Sequence, residues 1–198
     1  MARIVLASAS PRRRELLLQA GVAFDVAVAG VDESLPAGTA PEAGALLLAR
    51  RKARAAAERL GAEDAIVLAA DTIVALADEA RPGAVQLLGK PGDAAEARAM
   101  LAALSGSRHA VVTGVAARRT RDGAEEAAFE RTWVTMRAIA PAEIEAYVRS
   151  GEWEGKAGGY AIQETADRFV VRLEEGGFDN VVGLPVALAL ELLGRLGA

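Results

Sequence analysis

Ala7-Ser8-Ala9-Ser10-Pro11-Arg12-Arg13-Arg14-Glu15-Leu16-Leu17 follows directly on a short apolar run, Arg3 to Ala7. Together they read as a buried strand turning into a helix. Ser10 is an N-cap residue, Pro11 suits the first helical position, and Gly21 ends the helix. A helix start carries unpaired N–H groups and partial positive charge. Here Ser8, Ser10 and three arginines, Arg12 to Arg14, crowd that start. Arginines in a first turn oppose the helix dipole, so helix stability does not account for them. They fit an anion site on a strand-to-helix turn, with a phosphate chain as the anion. Taken alone, the same stretch also fits a capped amphipathic helix with a solvated arginine face.

With 198 residues and 52% apolar content, the chain can bury a core as one domain or as two small lobes. A net charge of −4 and an aromatic share of only 4% disfavour a nucleic-acid partner. There is no cysteine and one histidine, His109. A bound metal is therefore expected to be hard and oxygen-ligated, Mg²⁺ or Mn²⁺. The apolar stretches 65–77 and 181–193 are broken by Asp71 and by Gly183-Leu184-Pro185, and no secretory signal opens the chain. These features predict a cytoplasmic protein with no membrane partner.

Outward from the first helix, residues 23–29 alternate as a second strand, and Asp32 and Glu33 follow in a loop. Adjacent carboxylates there serve either as loop solvation or as metal ligands. Pro41 to Leu60 reads as a helix with Leu46, Ala49, Ala53, Ala56 and Leu60 inward. Arg50, Arg51, Lys52 and Arg54 flank that stripe, and one lysine there can lean toward a phosphate. Residues 65–77 form a nearly unbroken apolar strand with a single carboxylate, Asp71. A buried carboxylate needs a partner, and a metal or a catalytic water is the productive one. Asp78 to Gln86 reads as an irregular or hairpin insertion, and Asp93 with Glu96 as a helix-capping box. Asp122-Gly123 predicts a two-residue type I′ hairpin facing Arg119 with Glu126, with Phe129 and Trp133 in the core. His109 is expected to be structural. A helix over Pro141 to Ser150 precedes the glycine-rich run Gly151 to Gln163, read as an ordered loop where backbone meets a ligand. A last helix is expected to turn Val186, Ala189, Leu190, Leu193 and Leu196 inward. The class is α/β with a mixed, twisted sheet and flanking helices.

Neither a P-loop nor a Rossmann glycine fingerprint is present. The ordered motifs Ser8-Ala9-Ser10-Pro11-Arg12-Arg13, Ala49-Arg50-Arg51-Lys52-Ala53, Ala70-Asp71-Thr72 and Gly89-Lys90-Pro91 instead resemble the Maf family. These are the septum-formation-inhibitor-like nucleotide pyrophosphatases. The likeness continues through Leu104-Ser105-Gly106, Ser150-Gly151-Glu152, Lys156 to Gln163 and Val181 to Pro185, so it covers essentially the whole chain, 1–198, as a single domain.

The resemblance implies a fold like the inosine-triphosphate pyrophosphatases, two lobes with a cleft, paired as a homodimer. It implies hydrolysis of a nucleoside triphosphate to monophosphate and pyrophosphate with a divalent cation. Asp71 would then be the general base or metal-linked carboxylate, and Glu33 would share the metal. Ser8, Arg12, Arg13, Lys52 and Lys90 would hold the phosphates. Asp71-Thr72 and Tyr160-Ala161-Ile162-Gln163 are similar to the branch acting on dTTP and UTP, with Arg12, Thr72 and Gln163 carrying base choice. The other branch, with Asp-Gln and a Ser-Phe-x-x-Glu segment, acts on 7-methyl-GTP. A broad pyrophosphatase of noncanonical nucleotides and a nucleotide-binding regulator of septum formation are the remaining alternatives. Glu164 stands where the family usually has glycine, and the segment from Thr72 to Lys90 is longer than common.

Overall fold

The computed structural model describes residues 2–77 and 84–198. Strands β1 (Arg3–Leu6), β2 (Asp25–Val26), β3 (Ala65–Ala77), β4 (Val85–Leu88), β5 (Arg108–Arg119), β6 (Glu125–Met136) and β7 (Val170–Glu174) form one mixed sheet. Its order is β2-β1-β3-β5-β6-β7, with β4 also on β3. The helices are α1 (Pro11–Gln19), α2 (Pro41–Leu60), α3 (Ala94–Leu104), α4 (Pro141–Ser150), α5 (Phe178–Val182) and α6 (Val186–Arg195). The mixed α/β class expected from the sequence is the one found. None of the helices among the described residues is long and apolar enough to cross a membrane.

The chain divides into two compact units. The first comprises Met1–Asp71, Thr113–Glu130 and Gly183–Ala198, and the second Thr72–Val112 and Arg131–Val182. In the first unit β1 pairs in parallel with β3, from Arg3 opposite Ala65 to Leu6 opposite Leu68. Side chains alternate across a strand, so this sheet has two apolar faces. Leu6, Ile66, Leu68, Ala70, Val115 and Ala117 pack with Leu17 of α1 and Ala189 and Leu192 of α6. Val5, Ala7, Val67, Ala69 and Ala116 pack with Ala49, Ala53 and Ala56 of α2.

Helix α2 starts at Pro41 and ends against Gly61, as its punctuation predicts. Its inward face is Gly44, Ala45, Leu48, Ala49, Ala53, Ala56 and Ala57, which lets the helix axis approach the sheet closely. At Gly114 a Cβ would stand 2.4 Å from the backbone of Ala45, so that position admits glycine alone.

The second unit has its own core, in which Val74, Leu88, Met100, Leu101, Leu104, Val111 and Val134 pack with Met136, Ile144, Tyr147, Tyr160 and Phe169. Here β4 runs antiparallel to the end of β3, from Val74 opposite Leu88 to Ala77 opposite Val85. The expected insertion over Asp78 to Gln86 is a hairpin to that extent, and residues 78–83 lie outside the described residues. Asp93 caps α3 by accepting from the Glu96 N–H at 2.8 Å, while the Glu96 carboxylate accepts from Gly92 N–H at 2.8 Å. His109 is structural: fully buried, it meets the Tyr160 hydroxyl through Nε2 at 2.8 Å and the Ser107 hydroxyl through Nδ1 at 3.1 Å.

Several local expectations change. β2 shrinks to Asp25–Val26. The hairpin between β5 and β6 has a longer loop: Arg119 N–H donates to Ala124 O at 2.9 Å, and Gly123, but not Asp122, has positive φ. A type I′ turn needs both residues there. Thr120 is instead fixed to Ala65, its hydroxyl accepting from Ala65 N–H at 2.9 Å, and Arg119 pairs with Asp122 at 2.6 Å rather than Glu126. Phe129 is exposed, and Trp133 is half-buried beneath the guanidinium groups of Arg108 and Arg131. On α6, Leu192 is inward and Leu190 faces out.

Gly114→Ala is expected to lower stability by about 3 kcal/mol or more, read as a drop in the urea midpoint, since backbone rather than a side-chain tip must move. Burial lowers the pKa of His109 from 6.5 to about 4. The unfolded chain therefore takes up that proton first. The contribution is intact above pH 6.5 and is lost on acidification toward pH 4, at most roughly 3 kcal/mol. Unfolding midpoints should fall between pH 6.5 and 4.5 in the native sequence and change much less in His109→Gln.

Candidate active site

The first unit gathers its polar side chains where β1 turns into α1. Ala7 N–H still bonds Leu68 O at 2.8 Å, after which the chain leaves the sheet. Ser10 caps α1, its hydroxyl accepting from Arg13 N–H at 3.5 Å. The Ser10 N–H in turn donates to the hydroxyl of Ser8 at 3.2 Å, and Ser8 is only 6% exposed. No acidic residue lies in the first turn of α1.

Arg13 is directed inward. Its Nε donates to Gly183 O at 2.7 Å, and its Nη1 to Ala70 O at 2.8 Å and to the Ser8 hydroxyl at 3.4 Å. Burial pushes its pKa down, Asp71 opposes that shift, and neighbouring Arg12 adds to it. Arg13 thus clamps the turn to the residue just before Asp71. Arg12 is half-buried and, among the described residues, forms no hydrogen bond or ion pair. Its charge faces Arg13 without an acidic counterpart of its own, which is the electrostatic setting of an anion site.

Asp71 follows the same alternation as Val67 and Ala69, so it faces α2, and Lys52 meets it there. The Lys52 ammonium lies 2.5 Å from Asp71 Oδ1 and 2.7 Å from Glu33 Oε1. The side chains of Lys52 and Asp71 are 12% and 10% exposed, that of Glu33 47%. Glu33 sits in a segment without regular structure, yet its backbone is fixed. Asp32 accepts from the Ser34 N–H at 2.8 Å and from the Ser34 hydroxyl at 2.7 Å, and these bonds hold the Asp32 carboxyl below its usual range. Arg51 Nη1 donates to Asp32 O at 3.1 Å and Ser34 O at 2.9 Å, on either side of Glu33.

An ammonium between two carboxylates marks a position where a cation is favoured. Among the described residues no cluster of three or more metal-ligating side chains exists. Two carboxylates suit Mg²⁺ or Mn²⁺ that completes its shell with water and phosphate oxygens rather than with an all-protein cage. Glu33 and Asp71 fit that role.

Of the residues singled out in the sequence, Ser8, Arg13, Glu33, Lys52 and Asp71 are thus joined by contacts within the first unit, with Arg12 beside them. Thr72, Lys90 and Gln163 belong to the second unit. Thr72 is half-buried and Lys90 exposed. Gly158 N–H donates to Gly89 O at 2.9 Å, which ties the loop before Lys90 to the glycine-rich segment. Gln163 is exposed in a turn closed by Glu164 N–H to Ala161 O at 3.3 Å. Lys156 is 5% exposed and forms an ion pair with Glu164. Sequence reasoning assigned no role to Arg51 or to this Lys156–Glu164 pair. For Arg51 the only signal was its place beside Lys52, and a carbonyl acceptor such as Gly183 O leaves no mark in a sequence.

Known proteins place the chain in context. The family model described as "Maf-like protein" matches residues 3–196. The dTTP/UTP pyrophosphatase of Pelotomaculum thermopropionicum is 45% identical over 100% of this chain and 98% of its own length. That of Anaeromyxobacter sp. strain Fw109-5 is 50% identical over 98% of this chain and 90% of its own. The dTTP/UTP pyrophosphatase of Myxococcus xanthus is also 50% identical, over 98% and 92%. With a family match across nearly every residue and relatives this similar over nine-tenths or more of their lengths, the chain belongs to the Maf-like protein family.

Proposed function

We propose that this protein hydrolyses dTTP and UTP to the nucleoside monophosphate and pyrophosphate. The observation that carries the reading is the buried Asp71 held with Glu33 around Lys52, at the foot of an arginine-lined helix start. Relatives named dTTP/UTP pyrophosphatase at 45% and 50% identity support the substrate.

The chemistry follows from charge. Triphosphate oxygens gather negative charge as the α-phosphorus is attacked, and preplaced cations stabilise it. Arg12 offers a planar fork to the departing pyrophosphate, and Lys90 a compact charge. Ser8 and Arg13 add a hydroxyl and a fixed positive charge behind them. Lys52 neutralises the acidic pair in the free protein and the phosphates in the complex. A divalent cation held by Glu33 and Asp71 would supply further neutralisation of the phosphate oxygens and acidify water near them. Asp71 takes the proton of the attacking water while the water oxygen bonds to the α-phosphorus. The bond from that phosphorus to the bridging oxygen breaks, and pyrophosphate departs with the electron pair. Thr72 and Gln163 choose the base. The Gln163 amide donates and accepts at once, matching the O4 and N3–H edge shared by thymine and uracil.

With Mg²⁺ or Mn²⁺, the purified protein should release pyrophosphate rather than orthophosphate from dTTP and UTP, faster than from 7-methyl-GTP, and chelation should abolish turnover. Asp71→Asn should lower kcat by about 10²-fold or more with the fold intact by circular dichroism. Arg12→Ala should lower kcat/KM by roughly tenfold or more, reflecting a lost charge-assisted contact. Orthophosphate as the product, or full activity in Asp71→Asn, would contradict the reading.

A further inference from the structure

Gln163 differs from its neighbours in that, among the described residues, nothing holds its side chain. Ala161 and Ile162 before it are 8% and 4% exposed, and Ala166 after it is fully buried. Among the described residues the Gln163 amide forms no hydrogen bond, and the residue is exposed. The backbone before it is held by a turn bond, and the two residues after it by charged anchors. The turn bond runs from Glu164 N–H to Ala161 O. Directly after Gln163, the Glu164 carboxylate pairs with the buried ammonium of Lys156. One residue further, the Glu152 carboxylate accepts from Thr165 N–H at 3.1 Å and from the Thr165 hydroxyl at 2.7 Å. Burial pushes the Glu152 carboxyl upward, but the two Thr165 bonds and a bond from Ser150 outweigh it, with Lys156 adding its charge.

Such an arrangement is poorly explained as packing. Ile162, Tyr160 and Phe169 already bury the apolar side of this segment, and a buried lysine costs stability unless paired. What the two carboxylate anchors add is a fixed origin for the Gln163 side chain, which meets no partner among the described residues. Glutamine can recognise either of two complementary base edges: thymine and uracil present O4 and N3–H, whereas cytosine presents an amino group and a bare N3. An amide on a wandering loop can adapt to both, while an amide on a fixed turn commits to the edge that its position fits. Ordering the loop beforehand also spares the substrate that entropic cost.

We propose that the Lys156–Glu164 ion pair and the Glu152–Thr165 bonds are positioning elements for base selection, which fix the turn that presents Gln163. The proposal rests on Gln163 as the base reader. It assigns to Glu164 a purpose at a position where the resembling sequences carry glycine: its charge answers Lys156 and so leaves no net charge beside the reading amide.

The test compares kcat/KM for dTTP and dCTP in the native protein and in Glu164→Ala, Glu164→Gln, Glu152→Ala and Gln163→Ala. Glu164→Ala and Glu152→Ala should each narrow the dTTP-to-dCTP ratio by roughly tenfold, mostly through a higher KM for dTTP, with kcat changed far less. Glu164→Gln, which still accepts from Lys156, should keep most of the selectivity. Because Glu164→Ala leaves a buried lysine unpaired and could unfold the segment, Glu152→Ala supplies the same reading from the other anchor. A ratio unchanged in folded Glu164→Ala or Glu152→Ala, with Gln163→Ala unselective, would overturn the anchors while sparing the base reader. Equal loss of kcat for both nucleotides would also overturn them, as it would show a merely structural role. A native protein that does not distinguish dTTP from dCTP, or a fully selective Gln163→Ala, would defeat the base reader itself.

Discussion

The ammonium of Lys52 between the carboxylates of Asp71 and Glu33 is the constraint on which the first unit is arranged. A carboxylate in the middle of a thirteen-residue apolar strand is admissible only with a partner, and that partner must arrive from the helix covering the same face. Alternation along β3 puts Asp71 on the α2 side. The alanines of α2 and the glycine at 114 then allow the helix to approach closely enough for Lys52 to reach it. Thus residues that look compositional, a row of small side chains, determine the electrostatics of the site.

The arginines of α1 divide their tasks. Arg13 joins the helix start to Ala70, one residue from the Asp71 carboxylate, and to Gly183. The Gly183 and Ala70 carbonyls and the Ser8 hydroxyl that it bonds are uncharged, and Asp71 and Glu33 act on its charge through space. Arg12 beside it forms no hydrogen bond or ion pair among the described residues, the basis on which it is proposed to meet the substrate's phosphates. The helix start, whose own N–H groups favour negative charge, reinforces the same preference. The Arg13 guanidinium and the helix start are thus held in place by the fold itself, and fixed groups of this kind are the ones that stabilise developing charge most effectively.

Much of this could be read from the chain because the signals are local. Pro41 and Gly61 bracket α2, Ser10 and Pro11 start α1, and Asp71 is the lone charge in its strand. The single histidine, with no carboxylate to orient it, is the buried structural group that its context suggests. What could not be read depends on partners distant in sequence. Asp122-Gly123 signals a tight turn, but the Thr120 hydroxyl bonded to Ala65 and the Arg119–Asp122 pair hold a longer loop. Trp133 reads as a core residue from its size, yet the second unit's core takes the opposite set of its strand, Val134 and Met136. The sequence marks Lys52 as a phosphate ligand only through the family resemblance, while its link to both acidic residues depends on a loop and a strand converging on one turn of helix. Arg51 looked like a solvated neighbour and instead braces the backbone around Glu33.

The central claim is that Asp71 directs water at the phosphorus nearest the nucleoside. Turnover of dTTP in ¹⁸O-labelled water, with mass analysis of both products, tests it most directly. The account predicts one ¹⁸O atom in the thymidine monophosphate and none in pyrophosphate; label in the pyrophosphate instead would place the attack on the β-phosphorus and contradict it.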